Sequence, residues 1–282
     1  MTNIAIIGAN SSLSQALLSK IPEKFNVLQV FNNNLYRIDK SYNFIKIDEF
    51  LKERPKIEII YFISSFVSFS EKYSDIKKIF LTNIQLLKRI SYLYPNSKII
   101  NTSSVAVFKD NDHEITEDSE LNPQSSYAFS KLWSELIVNN HKGGGVNVRI
   151  SSLFGENMNN NTFLPQIMKD AILKNKIYLY GNGYRMQNYI YFDDVATILY
   201  RCLKYKKKFP LLAVNNDSYS NLDIANLIKS ISPKLKIIFK GNDSSKSFRY
   251  NNTKTLNYLG IKFKSNFNEQ ITNTFLWMKK QY

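Results

Sequence analysis

Short apolar runs alternate with longer stretches carrying apolar residues at helical spacing through the first half of the chain. The runs predict strands at residues 3–8, 26–31, 43–47, 57–63, 98–103 and 145–150. The periodic stretches predict helices at 11–21, 75–94 and 126–140. This alternation predicts an α/β architecture with a doubly wound parallel sheet and helices on both faces. Ligands of such sheets sit beyond the carboxyl ends of the strands, where the strand order reverses.

After Ser152 the rhythm changes. An Asn-rich turn at 157–162 leads into helices at 163–174, 193–204, 221–230 and 266–279, with strands at 177–180, 189–192 and 211–214. No internal repeat and no linker rich in Pro or Gly separates the halves. The expected organisation is a core of residues 1–152, to which a segment near 189–215 returns, and a smaller α/β cap formed mainly by 153–282.

The chain has 282 residues, 44% hydrophobic and 22% charged, which fits a soluble globular protein rather than a disordered chain. Its most apolar stretch, residues 57–69, is interrupted by Glu58 and three serines, too short and too polar to span a bilayer. No signal-peptide pattern opens the chain, and one cysteine, Cys202, excludes an internal disulfide, so the expected setting is cytoplasmic. The net charge of +15 suits an anionic partner. Its lysines are scattered, however, and the densest cluster, Lys204 with Lys206, Lys207 and Lys208, reads as a solvated helix end. No nucleic-acid-binding signature accompanies the charge, so neither nucleic acid nor membrane insertion is expected. His113, His141 and Cys202 form no metal-ligand spacing, and no metal is expected. Paired Asp193 and Asp194 read as a helix-start cap.

Two motifs carry chemistry. The first strand runs into Gly8-Ala9-Asn10-Ser11-Ser12-Leu13-Ser14 and a helix. A tight turn of this kind presents backbone N–H groups to an anion, and the dinucleotide-binding form has three glycines. Here Gly8 remains, with Ser11 and Ser14 at the other two positions; the alternative is an ordinary strand–helix turn capped by serine. In the second motif, Tyr127-Ala128-Phe129-Ser130-Lys131, a phenol and an ammonium share one helical face. A neighbouring cation favours the phenolate, and bringing a phenol near pKa 7 takes roughly 4 kcal/mol of differential stabilisation.

The order of these motifs resembles the extended short-chain dehydrogenase/reductase family, within it the NAD-dependent epimerase/dehydratase group acting on nucleotide sugars. Residues 99–108 look like the family's fifth strand, with Ser104 at the catalytic Ser/Thr position. Residues 122–127 look like the approach to its Tyr-x-x-x-Lys helix, and 81–84 like the helix carrying a supporting Asn, here Asn83. Residues 149–155, 180–196, 211–228 and 251–260 extend the likeness nearly to the C-terminus. The resemblance implies a Rossmann-type fold and a site in which Tyr127 transfers a hydroxyl proton. Lys131 lowers its pKa and holds the nicotinamide ribose, Ser104 binds the same sugar oxygen, and Asn83 completes a proton relay. It places Gly8, Asn10, Ser11, Ser12, Leu13, Asn32, Arg37, Asp48, Phe62, Ile63 and Ser64 on the cofactor together with Tyr127 and Lys131. Ser152, Arg185 and Arg249, with Ser104, fall on the substrate, a nucleotide-diphosphate sugar. Family members often dimerise through the two long helices, so a homodimer is expected by analogy.

The second strand ends without an acid, at Asn32-Asn33-Asn34, with Arg37 close by, which tilts cofactor choice toward NADP(H) over NAD(H). Dehydratases of the group follow the catalytic Ser/Thr with Asp-Glu, whereas Val105 and Ala106 stand here. A 4-keto reductase and a 4-epimerase with retained NAD remain, and the reductase is favoured by the reduced glycine turn, the short chain and the second strand. A non-catalytic nucleotide-binding protein is the alternative of a different class.

Overall fold

The computed structural model describes residues 1–109, 113–158, 162–205, 209–263 and 266–282. The first half contains β1 (Thr2–Ile7), α1 (Ser12–Leu18), β2 (Phe25–Phe31), β3 (Asn43–Lys46), α2 (Ile47–Glu53) and β4 (Ile59–Phe62). These are followed by α3 (Tyr73–Ile79), a π-helical turn at Phe80–Gln85, α4 (Leu86–Leu93), β5 (Lys98–Ser104), α5 (Ser126–Asn139) and β6 (Gly145–Ile150). The second half contains β7 (Ser152–Phe154), α6 (Phe163–Lys174), β8 (Lys176–Tyr180), β9 (Met186–Gln187), β10 (Tyr189–Tyr191) and α7 (Phe192–Arg201). It ends with β11 (Leu211–Ala213), β12 (Tyr219–Ser220), α8 (Asn221–Ile231), β13 (Lys236–Lys240), α9 (Thr253–Leu259) and α10 (Phe267–Lys279).

Seven strands form one parallel sheet in the order β11-β6-β5-β4-β1-β2-β3. The order reverses between β1 and β4, which makes their carboxyl ends the switch point. Side chains of a strand alternate between faces, and a sheet covered on both faces is apolar throughout. In β1, Ile4 and Ile6 pack with Leu13 and Leu17 of α1 and Val195 and Leu199 of α7. Ala5 and Ile7 face the other way, toward Phe50 of α2, Leu87 and Ile90 of α4 and Ile137 of α5. A separate core joins α6, α8 and α10 through Met168, Ile224 and Phe275.

The strands and helices fall close to the sequence-based expectation, with instructive differences. Ile47, expected to close a strand, opens α2, with Asp48 and Glu49 in its first turn, where carboxylates suit the helix dipole. The helix expected over 75–94 is α3 and α4 joined through the π-turn. Phe192 starts α7 rather than ending a strand, and the cap position is Tyr191; Asp193 and Asp194 lie inside the first turn. The periodicity did not reveal β7, β13 or α9. Lys206 to Lys208 and residues 159–161 of the Asn-rich turn lie outside the described residues. Among the described residues no helix is long and apolar enough to cross a membrane.

Candidate active site

Gly8 turns the chain out of β1 with φ +92°, and its N–H and that of Ala9 both donate to the carbonyl of Val30. Ser11 caps α1 by accepting from Ser14 N at 3.1 Å, and the two hydroxyls stand 2.8 Å apart. Ser14 Oγ donates to the Gly8 carbonyl at 2.9 Å. The serines at the two positions without glycine therefore tie the turn closed with side-chain hydrogen bonds. Asn10 Nδ2 donates to the carbonyls of Asn34 and Tyr36, fastening the loop after β2 over the turn. In that loop Arg37 has φ +65°, and its Nη1 donates to Ser12 Oγ at 3.0 Å. Ser12 Oγ in turn donates to the carbonyl of Asn157, from the loop after β7.

A cavity of about 620 Å³ opens along the carboxyl ends of β1, β2 and β4. Gly8, Asn10, Ser11, Asn32, Asp48, Ile63 and Ser64 line it, seven of the residues the resemblance places on a cofactor. Leu13 and Phe62 instead point into the core. Ser65 from the loop after β4, Leu81 and Gln85 from the π-turn and Arg89 from α4 also line it; sequence reasoning did not place them on the cofactor, because they reach the cavity only through the tertiary fold.

Ser65 links the cavity to the second motif. Ser125 caps α5 by accepting from Ala128 N, so Tyr127 and Lys131 stand on its first turns. Both are buried. Burial pushes the Tyr127 phenol above its ordinary pKa, and the hydroxyls of Ser104 and Ser65, hydrogen-bonded to it, pull in the other direction. Lys131 Nζ donates to the carbonyl of Thr102 at 2.9 Å and lies 5.8 Å from the centre of the Tyr127 ring. Burial lowers its pKa to about 7, against an upward pull from Glu135.

Asn83 lies in the π-turn, a deviation that recurs at functional sites. Its Oδ1 accepts from Phe66 N at 2.8 Å, and its Nδ2 donates to Phe66 O and to Ser130 Oγ. The side chain thus pins the loop after β4 to α5, beside Ser65 on one side and Lys131 on the other.

The three substrate-side candidates sit in the second half. Ser152 opens β7, exposed, and pairs with β10. Arg185 Nε donates to the carbonyl of Lys246. Arg249 is exposed on the adjacent segment, which joins β9 where Phe248 N donates to Met186 O. Asn188 binds this region together: its Oδ1 accepts from Ser151 Oγ and Asn215 N, and its Nδ2 donates to the carbonyls of Asn215 and Asp217.

The NAD dependent epimerase/dehydratase family matches residues 8–212. A dTDP-D-glucose 4,6-dehydratase of Dictyostelium discoideum is 24% identical over 229 residues, 71% of this chain, which spans only 53% of that relative. A UDP-glucose 4-epimerase of Mycoplasma genitalium is 25% identical over 279 residues, covering 82% of this chain and 81% of the relative. Among solved structures, UDP-glucuronic acid 4-epimerase from Bacillus cereus in complex with UDP-glucuronic acid and NAD superposes with a TM-score of 0.85 at 16% identity, covering 100% of both chains. That likeness establishes the fold.

Proposed function

This chain belongs to the NAD dependent epimerase/dehydratase family, and we propose that it reduces a 4-keto nucleotide-diphosphate sugar with a nicotinamide dinucleotide. The observation that carries this reading is the buried Tyr127–Lys131 pair with Ser104, joined through Ser65 to the end of the 620 Å³ cavity. That volume lies within the range of small-molecule sites, and its position at the switch point suits a dinucleotide. Gly8, Ser11, Asn32 and Asp48 would hold the cofactor, which supplies the hydride that reaches the sugar carbonyl carbon.

Tyr127, kept protonated by burial, gives its proton to the carbonyl oxygen as that carbon is reduced, so the ketone becomes an alcohol. Lys131 in its charged form stabilises the phenolate left behind. Ser104 donates a second hydrogen bond to the same oxygen and orients it. The protonated phenol is the form that the reduction needs. Val105 and Ala106 cannot exchange protons, which argues against dehydration. Residues 1–152, with the return at 189–215, form the cofactor half of the site in this reading, and 153–282 mainly its substrate half, with Ser152, Arg185 and Arg249 facing the nucleotide sugar. The run Asn32-Asn33-Asn34, which follows β2 without an acid, supports acceptance of NADP(H).

The test is incubation with UDP-, dTDP-, GDP- and CDP-linked sugars and their 4-keto forms, with NADH or NADPH. Protein that purifies free of cofactor and consumes NADPH stoichiometrically with a 4-keto sugar bears the proposal out. Tightly held NAD, with sugars interconverted in the absence of added cofactor, would identify a 4-epimerase. Failure to bind either dinucleotide below millimolar concentration would leave a non-catalytic protein.

A further inference from the structure

The face of α5 that carries Tyr127 and Lys131 continues to Glu135, again four residues on and also buried. Consecutive residues of β5 meet this face: Thr102 accepts from Lys131 through its carbonyl, Ser103 Oγ donates to Glu135, and Ser104 hydrogen-bonds Tyr127. The proposed chemistry employs the first two side chains of the helix and gives Glu135 no part.

Glu135 is held rigidly. Arg149 of β6 grips it in a bidentate pair, Nε to Oε1 at 3.0 Å and Nη2 to Oε2 at 2.8 Å, with both side chains at most 5% exposed. Arg149 Nη1 donates to the carbonyl of Glu117, and the guanidinium lies 4.8 Å from the Phe108 ring centre. A buried ion pair is a poor device for stability alone, since well-packed apolar residues often serve as well or better. Its location offers a stronger reason. Glu135 stands one turn from Lys131 on α5, whereas Arg149 reaches Glu135 from β6.

We propose that Glu135 is a positioning residue for Lys131: its carboxylate, fixed by Arg149 and Ser103, keeps the buried ammonium charged, and Arg149 limits the strength of that effect. The proposal rests on the reading of Lys131 given above. The other groups packed around Lys131 do not supply such a charge. From α5 there is the neutral Tyr127, from β5 the Thr102 carbonyl with Ser103 and Ser104, and from the π-turn the amide of Asn83 through Ser130. The 3-10 turn Val105–Val107 carries no charge. In α3, Asp75 is tied to Ser68 and Lys77 and Lys78 are exposed; in α4, Lys88 and Arg89 are exposed.

The experiment is an NMR titration of protein labelled with [13Cε]lysine, with the Lys131 signal identified by its loss in Lys131→Met. Glu135→Gln should move the Lys131 midpoint down by about 1 pH unit or more. Arg149→Met, which releases the full carboxylate charge toward Lys131, should move it up. Glu135→Asp, which keeps the charge, should stay near the wild-type midpoint. Should Glu135→Gln fail to fold with Arg149 unpaired, the double variant Glu135→Gln/Arg149→Met should still titrate below wild type. A merely structural pair would leave every midpoint unchanged, or shift the two single variants in one direction, and either result overturns the proposal. If the midpoints move as stated while the pH profile of turnover stays fixed, the role proposed for Lys131 fails and the effect of Glu135 on it stands.

Discussion

Gly8 lies so close to Ser64 that a Cβ added to it would stand 2.6 Å from the Ser64 nitrogen and 2.8 Å from its Cα. The contact joins the ends of β1 and β4 at the point where the sheet changes direction, and Ser64 N donates to the Ile7 carbonyl beside it. Backbone cannot retreat from such an overlap as a flexible side chain can. Gly8→Ala also meets a φ of +92°, which disfavours a side chain by roughly 1–2 kcal/mol before any clash is counted. The variant is expected to lose several kcal/mol by urea unfolding (at least 2, as ~1–3 kcal/mol of overpacking adds to the strain). Wild-type stability in Gly8→Ala would show that the turn can open.

Tyr127→Phe removes the proton that the proposed reaction delivers and keeps the ring that Phe69 packs against, 5.7 Å away edge to face. Turnover should fall by about 10² to 10⁴, the range for a general acid, with the fold intact by circular dichroism. Near-normal turnover would remove Tyr127 from the chemistry.

The parts of this molecule legible in its sequence are those where one short stretch holds the whole signal. The central strands are continuous apolar runs because both faces of the sheet are covered. The Tyr127–Lys131 spacing shows itself within a single helix. β13 was hidden because Lys236–Lys240 buries no residue and is exposed at three of its five positions, and α2 because Ile47 extends the apolar run of β3. The π-turn leaves the periodicity of its helix readable while it buries Asn83. Glu135 and Arg149 lie 14 residues apart on different elements, and although Arg149 opens the 149–155 segment, Glu135 belongs to no motif; their pairing exists only once α5 is laid on β6. Ser65 likewise becomes part of the site only through the packing of the loop after β4 on α5.

Phe129, Trp133 and Leu136 form an exposed apolar stripe along α5, with Phe80 exposed at the junction of α3 and the π-turn. Such a stripe is costly to leave in water and is the face on which the expected homodimer would form. The wild-type chain should then run at twice its monomer mass in light scattering, and Trp133→Glu should run as a monomer. A monomeric wild type at micromolar concentration would remove the dimer from the proposal.

Asp194, in the first turn of α7, accepts from Gln270 Nε2 at 2.7 Å, and burial pushes its pKa up to about 6. The folded state therefore keeps a proton that the unfolded chain has already released, so this group's contribution to stability falls as pH rises from about 4 to 6. Asn at this position can still accept from Gln270 and does not ionise. The melting temperature of Asp194→Asn, relative to wild type, should be higher at pH 7 than at pH 4.5. An equal difference at both values would mean that Asp194 ionises as readily folded as unfolded.

Lys131 poses the opposite case, since burial carries its pKa down to about 7 from an ordinary value of 10.5. Between those values the unfolded chain binds the proton more tightly than the folded protein does. Stability from this group therefore rises with pH across the window from about 7 to 10.5 and is lowest at and below pH 7. The displacement amounts to a few kcal/mol, at ~1.4 kcal/mol per unit. Lys131→Met removes the charge and fills much of the same volume, although it leaves the Thr102 carbonyl without its donor. Its stability relative to wild type should thus be most favourable near pH 7 and decline steadily toward pH 10, followed by urea unfolding of the cofactor-free protein at intervals of one pH unit. A difference that stayed constant from pH 7 to 10 would mean that Lys131 keeps its proton in the folded state, and that the dry pocket around it is open to water.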